Sequence, residues 1–144
     1  MEKLEGIIFY TIDKAIKTYR QFAQKRLYEA GLEITIDQWL VMQALTEKPD
    51  ISQNEIAEKV FKDAASVTRI IDLLIKKKYL ERKMHDSDRR RFHLEVTSVG
   101  KTLMKDIAKV VAQNRAIALH DVTQEELGML RDTLTVIINN CKTN

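Results

Sequence analysis

Apolar residues recur at three- and four-residue steps along most of the chain, the spacing of a single helix face. Over residues 4–30 the stripe is Leu4, Ile7, Ile8, Ile12, Ala15, Ile16, Tyr19, Phe22, Ala23 and Leu27, with Lys14, Lys17, Arg20 and Lys25 between, and it predicts one long helix that Gly31 stops. At about 1.5 Å per residue this helix would be roughly 40 Å long, as wide as a compact domain of this size, so its stripe calls for a partner chain as cover. Thr35 with Gln38 and Ser52 with Glu55 have the spacing of capping boxes and predict helices over about 36–46 and 53–59. Their inward residues are Trp39, Leu40, Met42 and Leu45 in the first and Ile56, Ala57 and Val60 in the second. Phe61-Lys62 reads as a tight turn, and Asp63 as the N-cap of a helix over 64–77 with the stripe Val67, Ile70, Ile71, Leu74 and Ile75. After it the period changes from 3.6 to 2: Phe92, Leu94 and Val96 alternate with His93, Glu95 and Thr97, a half-buried strand for which Leu80, Arg82 and Met84 supply the antiparallel partner. Two more helices close the pattern, one over 98–118 and one opened by a third capping box, Thr123 with Glu126, that continues through Cys141.

Composition agrees with a mainly α chain. Four glycines and one proline in 144 residues are few for a strand-rich fold, and the length suits one domain over 1–144. A single cysteine excludes an internal disulfide and a Cys-cluster zinc site. The longest charge-free runs, 38–46 and 133–141, are under half of the roughly 20 residues that span a bilayer, and no basic segment with a long apolar core opens the chain. The expected setting is cytoplasmic and reducing, with no membrane partner. Enzyme signatures fail as well. Gly100-Lys101-Thr102 imitates the end of a phosphate loop, yet the first glycine of that motif would fall at Glu95. His85, His93 and His120 form no helical pair at ligand spacing, so no metal site, no cofactor and no catalytic residue is expected.

The charge changes the picture. A net +3 is bland, but residues 1–60 hold 8 basic and 10 acidic side chains, 61–91 hold 10 and 5, and 92–144 hold 6 of each. The positive excess is confined to 31 central residues, the footprint of a nucleic-acid-binding surface. Helix, tight turn, helix and two-stranded hairpin is the winged helix-turn-helix order, in which the second helix enters the major groove by its N-terminal residues. Here those are Ala64, Ala65, Ser66, Thr68 and Arg69, small or hydrogen-bonding. Arg89, Arg90 and Arg91 on the hairpin suit phosphate and minor-groove contact, with Asp88 orienting one of them. Gln53 and Asn54 are placed to touch phosphates; Lys62, Lys76, Lys77 and Lys83 read equally as solvated lysines, and of the four Lys76 is counted with the interface.

Three segments resemble the MarR family of bacterial transcription regulators: Ile34-Thr35-Ile36-Asp37-Gln38-Trp39-Leu40-Val41-Met42, Ser66-Val67-Thr68-Arg69-Ile70-Ile71-Asp72-Leu73-Leu74, and Asp88-Arg89-Arg90 followed by an alternating strand and Thr97-Ser98-Val99-Gly100. The resemblance runs from about residue 4 to about 141. It departs at Phe61 and Lys78, where the family often has glycine, so Lys78 is expected in a left-handed backbone conformation. What the resemblance implies is a winged helix-turn-helix lobe over 34–97 with a two- to three-stranded β wing, its tip at 85–91, and dimerisation helices over 1–33 and 98–144. It further implies a homodimer, a pseudo-palindromic double-stranded DNA operator, and a ligand-responsive repressor released by a small aromatic or anionic effector. The alternative is a winged-helix protein-interaction module that has lost DNA binding, since fold does not fix function.

Overall fold

The computed structural model describes the backbone of residues 1–85 and 88–142 and the side chains of residues 1–84 and 93–142. It contains helices α1 (Ile8–Glu29), α2 (Ile36–Glu47), α3 (Gln53–Val60), α4 (Ala64–Lys76), α5 (Ser98–Ala118) and α6 (Gln124–Cys141), and strands β1 (Leu80–His85) and β2 (Asp88–Val96). The fold is the mainly helical winged helix-turn-helix. Among the described residues the wing is a two-stranded antiparallel sheet, with Leu80 opposite Val96, Arg82 opposite Leu94 and Met84 opposite Phe92. The chain divides into two compact units, residues 1–114 and 115–144.

In the first unit the core gathers Leu27 of α1, Val41 and Met42 of α2, Ile56 of α3, Val67, Ile71 and Leu74 of α4, Leu80 of β1 and Ile107 of α5. Ile70, Ile75 and Trp39, expected inward, are partly buried and pack against it. Deeper along α5, the buried Asn114 accepts the Arg26 Nε–H at 2.9 Å, so a polar pair closes this end of the α1–α5 contact. In the second unit α6 starts on a complete Thr123–Glu126 capping box and buries no residue; Cys141, in its last turn, is exposed.

Two local expectations change. The helix expected over 4–30 is interrupted: Leu4–Gly6 form a single 3₁₀ turn, Ile7 is extended at φ −87° and ψ 115°, and α1 begins at Ile8. Gly6 explains the break, because glycine loses most freedom in a helix interior. Ser52 caps α3 by accepting the Glu55 N–H at 3.1 Å, but the reciprocal half of that box is missing. The Glu55 carboxylate instead accepts Lys48 Nζ at 2.7 Å, and that lysine holds it below the usual carboxylate range. Lys78 is left-handed as expected (φ 66°), and so is Phe61 (φ 59°). No helix among the described residues is long and apolar enough to cross a membrane.

Candidate nucleic-acid interface

Helix α4 forms where it does because Asp63 caps it and its apolar residues fall on one side. The Asp63 carboxylate accepts the Ser66 N–H at 2.7 Å and the Ser66 hydroxyl at 3.0 Å. Val67, Ile71 and Leu74 are fully buried, so the opposite face must look outward. On that face Ala64, Ala65, Thr68 and Arg69 are exposed and Ser66 is half-buried. A chain of polar contacts pre-shapes it: Arg69 Nη2 donates to Ser66 Oγ at 3.1 Å, and the Thr68 hydroxyl lies 3.0 Å from Ala64 O and 3.2 Å from Gln53 Oε1. Gln53, the first residue of α3, is thereby brought beside the N-terminal turns of α4. Lys76 is exposed at the other end of the helix.

The backbone of β2 carries Asp88, Arg89, Arg90 and Arg91, as expected for a wing; their side chains, and residues 86 and 87 of its tip, lie outside the described residues. Further down the hairpin, Arg82 Nη2 donates to Asp72 Oδ1 at 3.1 Å, tying β1 to the exposed side of α4. Lys83 Nζ sits 3.1 Å from Glu95 Oε2 across the two strands. His93 and then Lys83 hold the Glu95 carboxylate below the usual range.

The cap on α4 carries a testable pH dependence. The Ser66 N–H and hydroxyl hold the Asp63 carboxyl below its ordinary value of 3.8. A depressed carboxylate stabilises the fold above its unfolded pKa and stops doing so as pH falls through the lower folded value. The expected outcome is that Ser66 and Val67 amide protection, followed by hydrogen exchange, is constant from neutrality down to about pH 4 and then falls, and that Asp63→Asn, itself a good cap, flattens the profile. Unchanged acid dependence in that variant would assign the loss to another carboxylate.

Three pairings were invisible to sequence reasoning. Arg20 of α1 and Lys62 of the α3–α4 turn both bind Asp37, and Lys77 Nζ donates to Glu33 O at 3.0 Å. An open cleft of about 300 Å³ lies beside them, lined by Thr35, Asp37, Lys62, Ser66, Arg69, Ile70 and Leu73. Partners 17 to 44 residues apart leave no periodic signal; only the folded chain brings Asp37 to Lys62.

Comparison with known proteins places this arrangement. The model of the MarR family matches residues 30–91, which spans α2, α3, α4, β1 and the arginine run of β2. A Listeria innocua Clip11262 protein of unknown function is 26% identical, with TM-score 0.71 and coverage of 94% of this chain and 93% of that one. CouR from Rhodococcus jostii RHA1, solved with p-coumaroyl-CoA, is 19% identical with TM-score 0.82 over 100% of both chains. S. aureus MepR, solved in complex with DNA, is 19% identical with TM-score 0.81, covering 96% of this chain and 99% of MepR. The last two similarities speak for the shared fold. Over residues 30–91, from α2 to the arginine run of β2, the chain matches the MarR family model, and it is built on the same winged helix-turn-helix.

Proposed function

We propose that the protein is a sequence-specific, DNA-binding transcription regulator rather than an enzyme, working in the cytoplasm as a homodimer and as a ligand-responsive repressor. The observation that carries this reading is the coincidence of charge and shape. The segment 61–91, with 10 basic against 5 acidic side chains, folds into α4 and the β1–β2 wing. Its helix presents small and hydrogen-bonding residues at the N-terminal end. MepR, of the same fold, was solved with DNA.

A second copy is favoured by apolar residues that a lone chain leaves in water. In the first unit these include Ile8, Phe9 and Ile16, and in the second Met129, Leu130, Val136 and Ile138. Exposed large apolar side chains on each unit favour an interaction face. An effector is favoured by a cavity of about 630 Å³ between the end of α2, strand β2 and the start of α5. Leu45, Pro49, Leu94, Val96 and Met104 give it apolar walls, and Lys101 and Lys105 face a lining that also carries Asp50 and Glu95, which suits a largely apolar molecule with a few polar groups. CouR, of the same fold, was solved with p-coumaroyl-CoA.

The test is a salt series on an operator fragment recovered by genomic selection. Affinity should fall by about a thousandfold between roughly 50 and 200 mM salt if about six phosphates are neutralised. Arg89→Ala with Arg90→Ala should collapse binding while the dimer survives in sedimentation. Salt-independent binding, or no DNA recovered at all, would sink the reading in favour of a protein-interaction module.

A further inference from the structure

The Asp37 carboxylate stands between three elements. It is the second residue of α2, where a negative charge also suits the helix N-terminus. One oxygen pairs with Arg20 of α1, and the other lies 3.1 Å from Lys62 Nζ in the α3–α4 turn. Lys62 immediately precedes Asp63, the cap on which α4 starts. Gln24 of α1 reinforces the first connection: its Nε2 donates to Ile34 O at 3.1 Å, and its Oε1 accepts the Ile36 N–H at 2.9 Å. Lys77, the C-cap of α4, reaches the same α1–α2 connection through Glu33 O at 3.0 Å. Residues 33–37 are thus gripped from α1 on one side and from just before and just after α4 on the other.

Part-exposed ion pairs of this kind add little to stability. All three charged side chains are between 31% and 44% exposed, so the bridge is poorly explained as a stabilising device. What a carboxylate shared by two cations does supply is a fixed separation between the elements that carry them. We propose that Asp37 is a positioning residue for DNA reading: it ties α1 to the turn that launches the recognition helix and so sets the offset at which α4 meets the groove. This inference rests on the DNA-binding reading above. If α1 also carries the contact with a second copy, the offset is propagated to the spacing between two readers.

The test is Asp37→Asn, with affinities measured for the selected operator and for random DNA of equal length. Simple electrostatics predicts tighter binding to both, because an acid is lost and Lys62 is freed for phosphate. Positioning predicts the opposite for the operator alone: affinity for it falls by about tenfold, affinity for random DNA holds or rises, and the melting temperature barely moves. Asp37→Glu, which keeps the charge, should recover much of the specificity. Arg20→Gln should add nothing further once Asp37 is Asn, because both changes break one bridge. Operator affinity that is unchanged or higher in Asp37→Asn, or equal losses on both DNAs, overturns the proposal. If the unaltered protein binds no DNA, the regulator reading fails and takes this inference with it; binding that is merely insensitive to Asp37 removes only the inference.

Discussion

Replacing Gly100 with alanine is expected to destabilise the fold by about 3 kcal/mol, a large share of the roughly 5–15 kcal/mol that holds a typical domain together. At an exposed helical site the same change would stabilise by about 1 kcal/mol, since glycine is the weaker helix former. Gly100 reverses that sign because of what lies against it. It is buried in the first turn of α5, and a Cβ built there would stand 2.3 Å from Tyr79 O and 2.9 Å from Val96 Cγ1. The carbonyl cannot retreat cheaply. Tyr79 O accepts the Thr97 N–H at 3.1 Å, while the Thr97 hydroxyl donates to Lys78 O at 2.7 Å and accepts the Gly100 N–H at 3.0 Å. These bonds knit the exit of α4, the base of β2 and the start of α5 into one knot. A urea titration measures the loss; a change under about 0.5 kcal/mol would mean that α5 and Tyr79 are farther apart than described.

The second large effect is expected at Ile71. Its side chain is fully buried on the inner face of α4, so Ile71→Ala should cost about 4 kcal/mol, combining lost burial with the cavity left behind. Leu73, two residues on, is 38% exposed, and the same truncation there should cost under about 1 kcal/mol. Chemical denaturation of both variants tests the orientation of the recognition helix directly. Comparable losses at the two positions would show that α4 is rotated about its axis, and with it the set of residues offered to DNA.

Much of this architecture was legible because its signals are local. Thr35, Asp63 and Thr123 mark helix starts by bonds to residues three positions on, and all three act as caps here. The change of period at Leu80–Val96 fixed the strand pairing for a similar reason: alternation decides which residues face the core. The left-handed Lys78 followed from a departure at a position where glycine is common. What stayed hidden depends on residues distant in sequence. Glu55 has the right spacing for a complete capping box, yet Lys48 takes its carboxylate. The contact between Gln53 and Thr68 and the two bridges on Asp37 likewise join residues 15 to 25 positions apart, which no periodicity records. The exposed face of α4 was readable as a set of side chains, but not the polar chain from Asp63 through Ser66 to Arg69 that holds them ready.

The left-handed residues on either side of α4 have a consequence for how such a reader can vary. Phe61 and Lys78 each turn the backbone so that the next N–H returns to an earlier carbonyl: Lys62 to Ala57 O and Tyr79 to Leu74 O, both at 3.0 Å. Helix α3 cannot run on into α4, and α4 cannot grow beyond its 13 residues. The recognition helix is a word of fixed length. An inserted residue inside it cannot be absorbed at either end, and would swing every later side chain by about 100° off the face that Val67, Ile71 and Leu74 bury. With α4 as the proposed reader, new DNA preferences are open to it by spelling, through substitution at its outward positions, and closed to it by lengthening.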